Sequence, residues 1–208
     1  MASGTKRIPR AIREQQMLDS AIKVFADLGY RSASMDAIAK GAEISKPMLY
    51  LYYGSKEELF SACVDRETTR LTHQLQAAGA VDDSPRRRLE NVVRAFLEFV
   101  DTNAASWKVV YHQAMAEPVF RDEVENTRRL IVGITTDLLA ESTREDRDRE
   151  SLEVVATALV GAGEAVADRV VSGSIRSADA AAVVVDLAWQ GLSGSGRAIE
   201  NNEENQAK

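Results

Sequence analysis

The sequence predicts an all-α protein. Apolar residues recur at spacings of three and four along most of the chain, and capping residues stand where those runs begin. No stretch alternates with a period of two between β-turn residues. The chain has 208 residues, 45% hydrophobic and 28% charged, which suits a globular protein and excludes collagen-like, low-complexity and wholly disordered classes. No run of eighteen apolar residues occurs, so no transmembrane helix is expected. The opening MASGTKRIPRAIREQ lacks the apolar segment of a secretory signal. The single cysteine, Cys63, can form no internal disulfide. A cytoplasmic protein is the expectation.

The elements follow in order. Ile12, Leu18, Ala21, Ile22, Phe25 and Leu28 make one helical stripe that ends at Gly29, a C-cap residue. Ser34 caps a short helix with Met35, Ile38, Ala39 and Ala42 inward, and Ser45 caps another, with Pro47 in its first turn. Ser55 and Glu58 form the S-x-x-E pattern of a capping box before Leu59, Phe60, Cys63, Val64, Leu71 and Leu75. Gly79 to Ser84 breaks that helix, and Pro85 opens the next. Leu89, Val92, Val93, Phe96, Leu97 and Val100 form its inner face. A shorter helix carries Trp107, Val110, Tyr111 and Met115, and Pro118 punctuates before a long one. After the charged loop 144–150, helices are expected at about 151–171 and 177–193. The polar tail 200–208 is expected to be disordered.

Charge is unevenly placed. The net charge is −6, yet residues 1 to 56 carry +4 and the remainder −10. A small basic head on an acidic body suits a protein that meets phosphate at one end. Within that head, Ile38, Ala39, Ala42, Ile44 and Leu49 are spaced to lock two short helices across a turn, a helix-turn-helix. Such locking presents the second helix to a major groove as a rigid rod.

The stretches Gly29-Tyr30, Ser34 to Ala39, Ile44 to Tyr53 and Ser55 to Phe60 together resemble the DNA-binding head of the TetR family of bacterial transcriptional regulators. The likeness covers about residues 12–62. It implies an N-terminal three-helix helix-turn-helix head over 1–55 and a C-terminal helical effector-binding and dimerisation domain over 56–199, about nine helices in all. Two positions depart from the family pattern: Glu43 stands where Gly is usual, in the tight turn, and Ala33 replaces a common Thr.

By position, the resemblance assigns DNA contacts to Ser34, Ser45, Lys46, Met48, Tyr50 and Tyr52, with Lys56 as a phosphate clamp. Lys6, Arg7 and Arg10 are expected as a basic arm ahead of the first helix. Core packing is the alternative for both tyrosines, and it competes more closely at Tyr52 than at Tyr50. The implied partner is a palindromic double-stranded operator, bound by a homodimer. Val155, Leu159, Ala162 and Val166, with Val185 and Trp189, are the candidate dimer surface, although each helix also needs an inner face.

A pocket for a small apolar effector is expected from Phe96, Val100, Trp107, Tyr111, Met115, Phe120 and Ile134, with His112 and Gln113 as polar options. Binding there would tilt the helix that begins at Ser55 and release the operator, as linkage requires. Repression is the family default. No metal, cofactor or membrane is expected: one cysteine and no His pair at i, i+4 make a poor metal set. An enzyme reading lacks a nucleophile–base pair, a G-x-S-x-G elbow and a Gly-rich phosphate loop. A helical carrier or adaptor that has lost DNA binding is the alternative.

Overall fold

The computed structural model describes residues 9–142 and 148–194. Lys6 and Arg7, most of the expected loop at 144–150 and the tail at 200–208 lie outside the described residues. The described chain contains nine α-helices and no strand. They are α1 (Arg10–Ser32), α2 (Met35–Gly41), α3 (Lys46–Tyr52), α4 (Lys56–Gly79), α5 (Pro85–Thr102), α6 (Ala104–Trp107), α7 (Pro118–Ser142), α8 (Arg149–Val171) and α9 (Ser177–Gly194). A π-helical segment, Lys108–Ala114, follows α6 directly.

Packing divides the chain into two compact units, and not at residue 55. One comprises residues 1–70 and 103–127; the other comprises Leu71–Thr102 and the chain from Arg128. The reason is visible in the first unit's core. Met17, Ala21 and Phe25 of α1, Ile38 of α2 and Leu49 of α3 share it with Leu59, Phe60 and Cys63 of α4. Val109 and Ala114 of the π-helical segment and Phe120 and Val124 of α7 complete it. Phe25, Tyr30, Phe60 and Phe120 form an aromatic cluster there, with Phe60 and Phe120 centroids 4.4 Å apart. Small domains bury a low share of their surface, and these added residues enlarge the core of the three-helix head.

The first helix does not end at Gly29. It kinks there, at φ +80° and ψ 155°, and resumes helical hydrogen bonding to Ser32. Glycine tolerates that conformation without a Cβ penalty.

In the second unit, three small cores form. Leu71, Leu75, Val92, Ala95, Phe99 and Leu138 make one. Leu89, Val132, Leu139, Leu152, Ala156 and Ala188 make another. Leu97, Val170, Ala180 and Ala181 make the third. The valine pairs at 154–155, 170–171 and 183–185 all lie in helices, as their Ala- and Leu-rich setting predicts.

Candidate nucleic-acid interface

Each helix of the head begins as its capping residues require. Ser34 Oγ accepts from the backbone N–H of Ala37 at 3.2 Å, and Ser45 Oγ accepts from that of Met48 at 3.4 Å. Ser55 Oγ accepts from the N–H of Glu58 at 3.0 Å. The returning half of that capping box lands one residue early: Glu58 Oε2 accepts from the N–H of Gly54, not Ser55. The turn between α2 and α3 places Glu43 at φ +55°, so the departure from glycine noted in the sequence sits at a left-handed position.

Two close approaches hold α2 on α1. Ser20 Oγ donates to the Ile38 carbonyl at 2.8 Å in the buried interior. At Gly41 an added Cβ would lie 2.4 Å from Ser20 Oγ, so this position has no room for a side chain. Leu49, fully buried, then fixes α3 on the same core.

That anchor decides what α3 shows to solvent. Ser45, Lys46, Pro47, Tyr50 and Leu51 are exposed, Tyr50 at 42% and Leu51 at 82%. Met48 and Tyr52 are half-buried and pack against the head core. Met48 Sδ also accepts from Arg13 Nη1 at 3.4 Å. The sequence reading missed Pro47 and Leu51. Their signal was present, because both fall on the side of a seven-residue helix opposite Leu49.

Other expected contacts have defined local roles. Lys46 Nζ donates to Asp36 Oδ2 at 2.8 Å, across the turn, and this bond holds its ammonium above the ordinary lysine range. Arg10 is the first residue of α1 and not part of a preceding arm. It pairs with Glu14 at 2.9 Å, and its guanidinium lies 5.3 Å from the centroid of the Tyr52 ring.

The Lys56 ammonium, expected as a phosphate clamp, has partners within the head. Its Nζ donates to the carbonyls of Tyr30 at 2.8 Å, Arg31 at 3.1 Å and Ala33 at 3.1 Å. It also lies 4.8 Å from the centroid of the Tyr30 ring. Three N–H donors meet three carbonyls, so the charge closes the C-terminal end of α1.

The expected pocket residues fall into both units. Trp107 and Tyr111 stack in the first, with centroids 4.3 Å apart. Met115 packs against the head core, and Phe120 is buried within its aromatic cluster. Gln113 Nε2 donates to the Phe25 carbonyl at 2.7 Å. His112 is exposed. In the second unit Val100 is fully buried, whereas Phe96 and Ile134 pack half-buried on one small core.

The expected dimer residues also divide. Val185 is buried within its own chain, so it cannot face a partner. Val155 and Leu159 pack on one small core and Val166 on another, while Ala162 and Trp189 are half-buried. Among the described residues, Val154, Val183 and Leu187 are the most exposed large apolar side chains on α8 and α9, at 66%, 65% and 68%, with Val171 less so. Helical spacing alone identified the apolar stripes but not which edge turns outward.

Among the described residues, no helix is long and apolar enough to cross a membrane, and no group of three metal-binding side chains occurs. Residues 17–63 match the model of bacterial regulatory proteins of the tetR family, and residues 85–191 match a tetracyclin repressor-like C-terminal domain. The transcriptional activator FasR of Mycolicibacterium smegmatis is 29% identical over 191 residues, covering 90% of this chain and 86% of the relative. The regulator BetI of Burkholderia thailandensis is 30% identical over 161 residues, 73% of this chain and 80% of its own. A solved TetR-like regulator from Rhodococcus sp. RHA1 shares 51% identity with a TM-score of 0.80, over 90% of this chain and all of that one. The FadR structure from Bacillus subtilis, in complex with stearoyl-CoA, shares the fold at 15% identity and a TM-score of 0.70, over 85% and 98% of the two chains. These relatives are regulators of transcription and not enzymes. With its helix-turn-helix and both family domains in place, the chain belongs to the TetR family of DNA-binding transcriptional regulators.

Proposed function

We propose that this regulator binds a palindromic operator as a homodimer, inserts α3 of each head into the major groove, and is released by a small apolar effector. The observation that carries the reading is the outer face of α3. Lys46, Pro47, Tyr50 and Leu51 stand clear of the core on a helix pinned from behind by Leu49. Tyr50 is assigned to the groove wall, with its hydroxyl on phosphate. The N-terminal turn of α4, beginning at Lys56, offers backbone N–H groups to a second phosphate.

The exposed Val154, Val183 and Leu187 support pairing through α8 and α9, since each side chain gains about 1.5–3 kcal/mol on full burial. Repression follows where the operator overlaps a promoter, because a bound dimer excludes the polymerase. Activation is the second reading, favoured by the relative from Mycolicibacterium smegmatis that is named an activator. The effector is assigned to the second unit, where Phe96 and Ile134 are only half-buried. An acyl thioester such as the stearoyl-CoA bound by the Bacillus subtilis neighbour is the first probe. Helices α4 and α7 both contribute residues to both units, and α4, which follows the head directly, is the one assigned to move with the effector.

The test is filter binding of the purified chain to DNA selected from a random pool, repeated across salt. About eight phosphate contacts per dimer give a slope of log K against log salt near −7. A flat slope would instead support a carrier that has lost DNA binding. Addition of the effector should lower operator affinity.

A further inference from the structure

Seen from Leu49, successive residues of an α-helix rotate by about 100°, so Pro47 and Leu51 lie roughly 160° and 200° away. They are the crown of α3, the side farthest from the core. Neither carries a hydrogen-bonding side chain. Tyr50 and Lys46 lie on one flank, with the Lys46 ammonium drawn toward Asp36, while Met48 and Tyr52 on the other flank return to the core. The helix reads Lys-Pro-Met-Leu-Tyr-Leu-Tyr; it contains no Arg, Asn or Gln, and Lys46 is its one side chain of the kind that reads guanine edges.

An exposed leucine at 82% is costly in water and has one apolar complement on a base edge in the major groove, the thymine C5-methyl group. We propose that Leu51, with Pro47 beside it, is a specificity-determining residue that selects operator positions by the thymine methyl. The inference rests on the DNA-binding reading above and names what one face of that site recognises. It requires T·A pairs under the crown of α3 in each half-site. Hydrogen-bonded readout by this helix is confined to its Lys46 and Tyr50 flank.

The experiment uses the full-length chain and the operator it selects, with each thymine replaced singly by deoxyuridine, which removes only the methyl. At one or two positions per half-site the replacement should weaken binding about three- to tenfold. Leu51→Ala should melt at the same temperature, bind the parent operator less tightly, and show no further loss at those positions. Leu51→Met should keep the methyl dependence. A 5-methylcytosine·guanine pair at the same position should retain more affinity than cytosine·guanine. Indifference of the unaltered protein to every thymine methyl would overturn the proposal, as would full methyl dependence in Leu51→Ala. Failure to select any DNA would overturn the DNA-binding reading as well, and the two failures are distinct.

Discussion

The Lys56 ammonium donates to the Tyr30 carbonyl at 2.8 Å and lies over the Tyr30 ring, so the start of α4 is fastened to the end of α1 by one side chain. The carbonyls of Arg31 and Ala33 complete the same knot. A few ångströms along the chain, Arg31 forms paired hydrogen bonds with Glu117 at 2.7 and 3.2 Å, just before α7. Bracing of the DNA-binding helices therefore extends beyond the helix-turn-helix itself.

Replacing Lys56 with methionine keeps the aliphatic stem but leaves three carbonyls without their charged donor. Bonds to a charged group are worth about 1.5–3 kcal/mol, and the loss here should fall in that range. Urea unfolding should show the drop directly. Operator binding should weaken in parallel with stability, whereas a pure phosphate contact would weaken binding and leave the unfolding midpoint alone.

Glu43 offers the opposite sign. A side chain held at φ +55° is strained, so Glu43→Gly should stabilise the head by about 0.5–1 kcal/mol. The gain should appear as a higher melting temperature with operator affinity preserved, because the turn geometry is already the one glycine prefers.

Leu49 and Tyr50 are adjacent and should behave differently. Leu49→Ala opens a hole in a filled core and should cost about 2–5 kcal/mol, with DNA binding lost through the loosened α3. Tyr50→Ala, on an exposed face, should leave stability within about 0.5 kcal/mol and weaken operator binding about tenfold. Measuring both properties on both variants separates bracing from contact.

Cys63 packs against Phe60 and Val64 in the head core, and burial pushes its thiol up to about 12. The thiolate needed for reaction is then scarce at neutral pH. Alkylation by a small thiol reagent should be negligible in the folded protein and rapid in urea. Fast labelling without denaturant would mean that the head opens far more readily than its core suggests.

Much of this was legible in the sequence, and the reasons differ by residue. Ser34, Ser45, Pro85 and Pro118 act within one turn of their own position, so local chemistry marked the helix starts correctly. Glu43 was legible as a left-handed position only through the resemblance, because the family usually has Gly there. The bracing role of Lys56 was not legible because its partners lie 23 to 26 residues away, and periodicity carries no information about a carbonyl at that distance. Phe120 looked like a pocket residue because an aromatic at helical spacing reads the same in a core and in a lining. Val185 and Leu187 show the same ambiguity on α9. Two positions along a helix turn an apolar side chain from the interior to the outside, and sequence does not say which edge the neighbouring helix will cover.

The contact between Ser20 and Gly41 makes the inheritance at one position depend on another twenty-one residues away. A Cβ at 41 would displace the hydroxyl that holds the Ile38 carbonyl but would meet the Ser20 Cβ at an ordinary 3.6 Å, so Gly41→Ala fits once position 20 loses its hydroxyl, as in a paired Ser20→Ala and Gly41→Ala exchange. A side chain at 41 is therefore tolerated only in lineages that have already lost the hydroxyl at 20, whereas position 20 can change alone at the cost of its bond to the Ile38 carbonyl.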